Sequence, residues 1–188
     1  MIGCSSCIDS SHCLQCVDKA YTLNNGTCLN CHDLLTGCFA CSNSSHCMEC
    51  IDKSYTIVNG SCANCSNVLR GCSSCLNSSY CLQCVDNKYA LANGSCIECS
   101  SVLTGCSWCL NSSYCLQCVD STFAFVNGTC LKCKSLLTGC YWCLNSTFCL
   151  QCVDFTYAFV NGSCLECGTV LAGCYSCFSS AFSSAFCY

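Results

Sequence analysis

A glycine followed by a cysteine returns every 34 residues: Cys4, Cys38, Cys72, Cys106, Cys140 and Cys174 all obey this spacing. The unit reads G-C-x2-C-x5-C-x2-C-x11-C-x2-C-x6, and thirty cysteines keep to it without an insertion. A fixed period of this length marks a tandem array in which each unit packs on its neighbours. The array divides into repeats 1–34, 35–68, 69–102, 103–136 and 137–170, with a partial terminal repeat at 171–188. That last stretch holds Cys174, Cys177 and a displaced Cys187, and its Ser/Phe-rich tail runs from Phe178 to Tyr188. An altered end unit is expected of a cap or of a truncated array.

The 33 cysteines among 188 residues place the chain among disulfide scaffolds. Apart from cysteine, too little apolar side chain remains for one large core, so covalent staples must replace it. Charged residues make up 9% and the formal net charge is −4, which leaves no basic stripe for nucleic acid. No apolar run approaches the ~18 residues of a membrane helix, so no membrane span is expected in this chain. Met1-Ile2-Gly3 runs straight into Cys4 without the apolar segment of a signal peptide. The cysteine content still implies the secretory pathway. The expectation is an extracellular or cell-surface protein whose leader, and further repeats, lie upstream.

Between Cys16 and Cys28, Tyr21 and Leu23 alternate with polar neighbours and Asn25-Gly26 follows as a hairpin turn. The same places hold Tyr55/Ile57, Tyr89/Leu91, Phe123/Phe125 and Tyr157/Phe159, with Asn-Gly at 59–60, 93–94, 127–128 and 161–162. One short β-hairpin per repeat is predicted. Leu34-Leu35-Thr36-Gly37 and its copies predict a single helical turn closed by a left-handed glycine. The fold class is therefore a small disulfide-rich tandem repeat. It is pictured as an elongated rod of short β-hairpins and irregular loops with little regular secondary structure.

Cysteine spacing alone does not determine connectivity. The alternation of C-x2-C steps with short loops, and the N-G-[ST]-C ending, resemble the furin-like cysteine-rich repeats of growth-factor receptors. They are also similar to the C-x-x-C-rich surface proteins of protists, namely ciliate surface antigens and diplomonad variant surface proteins. The resemblance implies two alternating modules. A single bridge would join Cys16–Cys28, Cys50–Cys62, Cys84–Cys96, Cys118–Cys130 and Cys152–Cys164. A double bridge would join Cys31–Cys41 with Cys38–Cys47, Cys65–Cys75 with Cys72–Cys81, Cys99–Cys109 with Cys106–Cys115, and Cys133–Cys143 with Cys140–Cys149. At the ends it implies Cys4–Cys13, Cys167–Cys177 and Cys174–Cys187, leaving Cys7 to a partner upstream. The competing arrangement is a ladder, Cys7–Cys13, Cys16–Cys28 and Cys31–Cys38, which strands Cys4 instead.

N-glycosylation sequons fall on two phases of the repeat. Asn25, Asn59, Asn93, Asn127 and Asn161 occupy the hairpin turn, and Asn43, Asn77, Asn111 and Asn145 lie between the second and third cysteines. Asn64 adds one outside these phases. Accidental sequons are common in a chain rich in Asn and Ser, but nine on two phases argue for glycans as solubilising surface groups.

Other chemistry is weaker. C-x2-C pairs suit zinc, yet the sequons, the aromatic hairpins and the few lysines oppose a metal-thiolate store, so no metal and no cofactor are expected. Redox catalysis by C-x-x-C lacks its βαβ context. His12 and His46 occupy a slot that later repeats fill with Tyr80, Tyr114 and Phe148, so a packing role is read for them; His32 is read as surface. Asp18, Asp52, Asp86, Asp120 and Asp154 share one position, where a lone carboxylate caps a turn more readily than it binds calcium. Trp108 and Trp142 share another and suggest a contact face.

No catalytic constellation can be assembled, so the chain is read as a non-enzyme. The expected function is structural: a glycosylated, disulfide-stapled repeat in an extracellular filament or cell-surface coat of a protist, with self-association and N-linked glycans. The alternative is an adhesion or ligand-binding ectodomain of a membrane-anchored surface protein.

Overall fold

The computed structural model describes residues 2–178 and 186–187; most of the Ser/Phe-rich tail lies outside these. Two compact units are formed, residues 1–86 with 91–96 and residues 87–90 with 97–188. Both are built from the same parts, and the described residues hold eleven two-stranded sheets and five single helical turns in all.

Every complete repeat contains two hairpins, one more than the turn signals predict. In the first unit Cys38–Asn43 pairs with His46–Cys50, and Tyr55–Val58 pairs with Ser61–Asn64. In the second unit the counterparts are Cys106–Asn111 with Tyr114–Cys118 and Phe123–Val126 with Thr129–Lys132. The cysteine-bearing hairpin is bulged between each of its residue pairs, Cys38 opposite Cys50, Ala40 opposite Glu49 and Cys41 opposite Cys47. The spacing explains the bulges. Residues three apart on a regular strand point to opposite faces, yet Cys38 and Cys41 are both buried. One extra residue between them returns both sulfurs to the core side.

The other hairpin is regular. Asn59 and Gly60 turn it with φ of 50° and 78°, both positive, the conformation of a two-residue type I′ turn. Its tip is tied back to the preceding hairpin: Cys47 N–H donates to the Gly60 carbonyl at 2.6 Å. A turn of helix follows at Cys65–Val68, where Leu69 N–H donates to the Cys65 carbonyl at 2.8 Å. The chain then enters the next bulged hairpin, whose Cys75 N–H donates to the Lys53 carbonyl at 2.9 Å. Backbone bonds thus tie a bulged hairpin both to the regular hairpin that follows it and to the chain that precedes the previous regular hairpin.

Sulfur forms the core. Clusters of buried cysteines, such as Cys31, Cys38, Cys41 and Cys47, hold Leu35 against them, and Leu69, Leu103, Leu137 and Leu171 serve the same role in later repeats. The regular hairpin turns a small residue toward this sulfur: Thr22, Thr56, Ala90, Ala124 and Ala158 are all buried. Leu23, Ile57, Leu91 and Phe125 lie exposed, because the disulfides leave room for nothing larger than alanine or threonine on the inner face.

Candidate functional site

Sixteen disulfides are present. The single bridges are Cys16–Cys28, Cys50–Cys62, Cys84–Cys96, Cys118–Cys130 and Cys152–Cys164. The others join Cys31–Cys41 and Cys38–Cys47, Cys65–Cys75 and Cys72–Cys81, Cys99–Cys109 and Cys106–Cys115, and Cys133–Cys143 and Cys140–Cys149. The ends carry Cys4–Cys13, Cys167–Cys177 and Cys174–Cys187. Cys16–Cys28 is common to both arrangements, and the two bridges peculiar to the ladder are not formed: Cys13 faces Cys7 across the strands but bonds Cys4, and Cys31 bonds Cys41 rather than Cys38. Cys7 is exposed and forms no disulfide, its sulfur lying 3.0 Å from that of Cys4.

Consecutive bridges touch. Cys47 Sγ lies 3.4 Å from Cys62 Sγ, and the same distance separates Cys13 from Cys28, Cys81 from Cys96, Cys115 from Cys130 and Cys149 from Cys164. The sulfurs of Cys38, Cys47 and Cys62 fall within 4.8 Å of one another, close enough to suggest a metal cluster. All three are disulfide sulfurs here, and a metal ligand must be a thiolate.

All nine phased sequon asparagines are exposed, in two different geometries. Asn43, Asn77, Asn111 and Asn145 each close an Asx turn. Asn43 Oδ1 accepts from Ser45 N–H and from its hydroxyl, both at 2.9 Å, so the hydroxyl of the sequon lies against the amide it accompanies. The same pair of bonds recurs at the other three. Asn25, Asn59, Asn93, Asn127 and Asn161 instead sit left-handed at the hairpin tip, with φ between 46° and 50°. Asn64 is half-buried and caps a helical turn through Ser66.

Aspartates fill similar turns. Asp52, Asp120 and Asp154 accept from the hydroxyl and N–H of Ser54, Thr122 and Thr156, and those hydroxyl bonds, then the N–H bonds, hold each carboxyl below its ordinary range. Asp18 accepts from Ala20 N–H at 2.8 Å. Asp9 occupies the Asn43 position of the first repeat, and Ser11 N–H, followed by its hydroxyl, lowers its pKa. The cluster Asp9, Ser11 and His12 assembles the residue types of a catalytic triad. Both the hydroxyl and the carboxylate meet His12 at Nδ1, however, whereas a relay needs them on opposite ring nitrogens.

The aromatic slots have a defined use. His12, His46, Tyr80, Tyr114 and Phe148 lie over the turn glycines Gly26, Gly60, Gly94, Gly128 and Gly162. A Cβ built on Gly128 would stand 2.4 Å from Tyr114 Cδ2. Tyr21, Tyr55, Phe123 and Tyr157 cover the other glycine in the same way, at Gly3, Gly37, Gly105 and Gly139. His32 is exposed on its helical turn. Trp108 and Trp142 are 46% and 44% exposed, so packing between repeats does not bury them.

Sequence reasoning missed the grooves. In the second unit one groove of about 460 Å3 is lined by Thr122, Phe123, Lys132, Lys134, Tyr141 and Val153. Another, of about 310 Å3, is formed at the equivalent positions one repeat earlier by Lys88, Tyr89, Glu98, Ser100, Ser107 and Val119. The usable signal was the pair Lys132 and Lys134, which replace Glu98 and Ser100 of the preceding repeat. No protein-family model matches the chain, and no curated protein or solved structure matches it either.

Proposed function

We propose that this chain is a structural protein of an extracellular filament or cell-surface coat, a glycosylated repeat scaffold without catalytic activity. The observation that carries this reading is uniformity in the exposed surface. Leu76, Leu110 and Leu144 recur at one repeat position, and Leu82, Leu116 and Leu150 at another, all of them exposed. A surface repeated at fixed intervals can make one weak contact many times over, and the summed avidity builds a polymer from interactions too weak to matter singly.

The sixteen disulfides fit an oxidising environment. Nine exposed sequon asparagines supply sites for glycans, which would give solubility to a chain with few charges. The alternation of single and double bridges supports kinship in pairing with furin-like repeats. The carboxylates in turns and the rings on glycines are spent on structure, which supports a non-enzyme.

Intact mass spectrometry under non-reducing conditions, after alkylation in denaturant and with and without glycosidase, tests the reading, with negative-stain imaging beside it. Near-complete protection from alkylation, a large mass loss on deglycosylation, and polymers on the grid are expected. Many free thiols with bound zinc and no glycan would instead mean a metal-thiolate protein. Monomers at high concentration would favour the adhesion ectodomain.

A further inference from the structure

Some exposed positions hold one residue: Leu116 and Leu150, Gln117 and Gln151, and Asp120 and Asp154 are identical pairs in consecutive repeats. Four of the groove positions change chemical class. Lys88 becomes Thr122, Glu98 becomes Lys132, Ser100 becomes Lys134 and Ser107 becomes Tyr141. Tyr89 and Val119 keep their character as Phe123 and Val153, so the groove stays aromatic and apolar while its charged and polar lining is replaced.

In the later groove the re-lining has a direction. It brings together two of the six cationic side chains of an acidic protein. Neither Lys132 nor Lys134 has an acidic partner among the described residues. On the same groove stand two aromatic rings, Phe123 and Tyr141, and the apolar Val153. Unpaired ammonium groups call for an anion, and the rings call for a flat apolar face on the same ligand. The volume of about 460 Å3 lies in the range of small-molecule sites. A uronic acid meets every requirement, since its ring C–H face can lie on the aromatics while its carboxylate reaches the lysines. An acidic peptide would have to order a flexible backbone and side chains to do the same, which a rigid sugar ring avoids.

We propose that the groove formed by Phe123, Lys132, Lys134 and Tyr141 binds an acidic sugar, with its carboxylate on the two lysines and its ring on the aromatics. This holds whether or not the chain polymerises, so its failure leaves the scaffold reading untouched.

The experiment is an amide NMR titration of the secreted, disulfide-intact chain with trigalacturonic acid, with neutral maltotriose and with triglutamate. Trigalacturonic acid is expected to shift amides near 122–124, 132–134 and 140–142, and maltotriose to leave them in place at equal concentration. Lys132→Glu with Lys134→Ser should weaken binding about tenfold. That double variant installs the residue types that Glu98 and Ser100 already supply one repeat earlier, so the fold accommodates them. Lys53→Ser removes a charge in the first unit and should change nothing. Shifts that survive the double variant, or that respond equally to Lys53→Ser, overturn the assignment. Equal binding of triglutamate overturns the sugar and makes the groove a peptide site.

Discussion

A ring seated on a glycine is the most repeated residue-scale contact in the protein, and it combines two demands at one position. Gly128 needs φ of 79° for its turn and an open face for Tyr114. Alanine there meets a left-handed penalty of about 1–2 kcal/mol, and the ring must also move. Gly128→Ala should therefore speed hydrogen exchange across the 123–132 hairpin, and adding Tyr114→Ala should recover the steric part alone. Gly168 is the contrast, because it lies in a helical turn where a Cβ would only touch the Cys174 carbonyl at 3.5 Å. Gly168→Ala should be neutral or slightly stabilising. The aspartate turns carry a pH signature. The folded pKa values of Asp52, Asp120 and Asp154 are depressed, so that stabilisation is whole above the ordinary carboxylate range near ~4 and fades as pH falls through the lower folded values. Carbon-13 titration of Asp120 should show this depression, and Thr122→Val should return much of it toward normal. At this scale the sequence was readable where a residue acts on its own backbone, as in Asn59-Gly60 and the capping aspartates. The rings at His46 and Tyr80 were readable as packing, but their glycine partners lie fourteen residues away and only the fold brings them together.

Elements were legible in proportion to their turn chemistry. The Asn-Gly hairpin announces itself through the conformation its turn requires, but the helical turn expected over 34–37 forms at Cys31–Leu34 instead and ends at an extended Leu35, two residues before the left-handed Gly37. The bulged hairpin carries no apolar alternation, because cysteine supplies its buried face and the bulges break the period of two. Its symmetric C-x2-C-x5-C-x2-C spacing around Asn43-Ser44-Ser45 was the only clue. The inward side of the regular hairpin escaped for a related reason. Tyr55 and Ile57 look like the buried pair, whereas packing against disulfides selects the small Thr56 between them. The bridges divide labour among these elements. Cys118–Cys130 joins the bulged hairpin to the regular hairpin that follows it, and closing that loop should contribute about 3 kcal/mol through the unfolded chain. Replacing both residues with serine should open the 123–132 hairpin to hydrogen exchange while the 55–64 hairpin keeps its protection. A uniform loss of protection would mean that the repeats unfold together.

Across the molecule, the backbone bonds described reach no further than the one from Cys75 to Lys53, and the bridges reach at most 13 residues along the chain. Such a low contact order favours folding that can begin in any repeat and spread to the next. Removing residues 71–104, one full period, should leave Cys65 free to bond Cys109 in the geometry that Cys75 vacates. Non-reducing peptide mapping should then find three fewer bridges, with every remaining partner at its usual separation. Excising seventeen residues instead should scramble the pairing, since it places unlike cysteines in register.

The period has a meaning for heredity as well as for folding. Near-identical repeats in a gene invite misaligned recombination, which adds or removes whole units. In most proteins the product of such an event is lost. Here each bridge closes within one period of its origin, so every in-register product inherits a complete set of partners. Alleles of different length should therefore all encode folded protein, and the number of repeats becomes a trait on which selection can act directly.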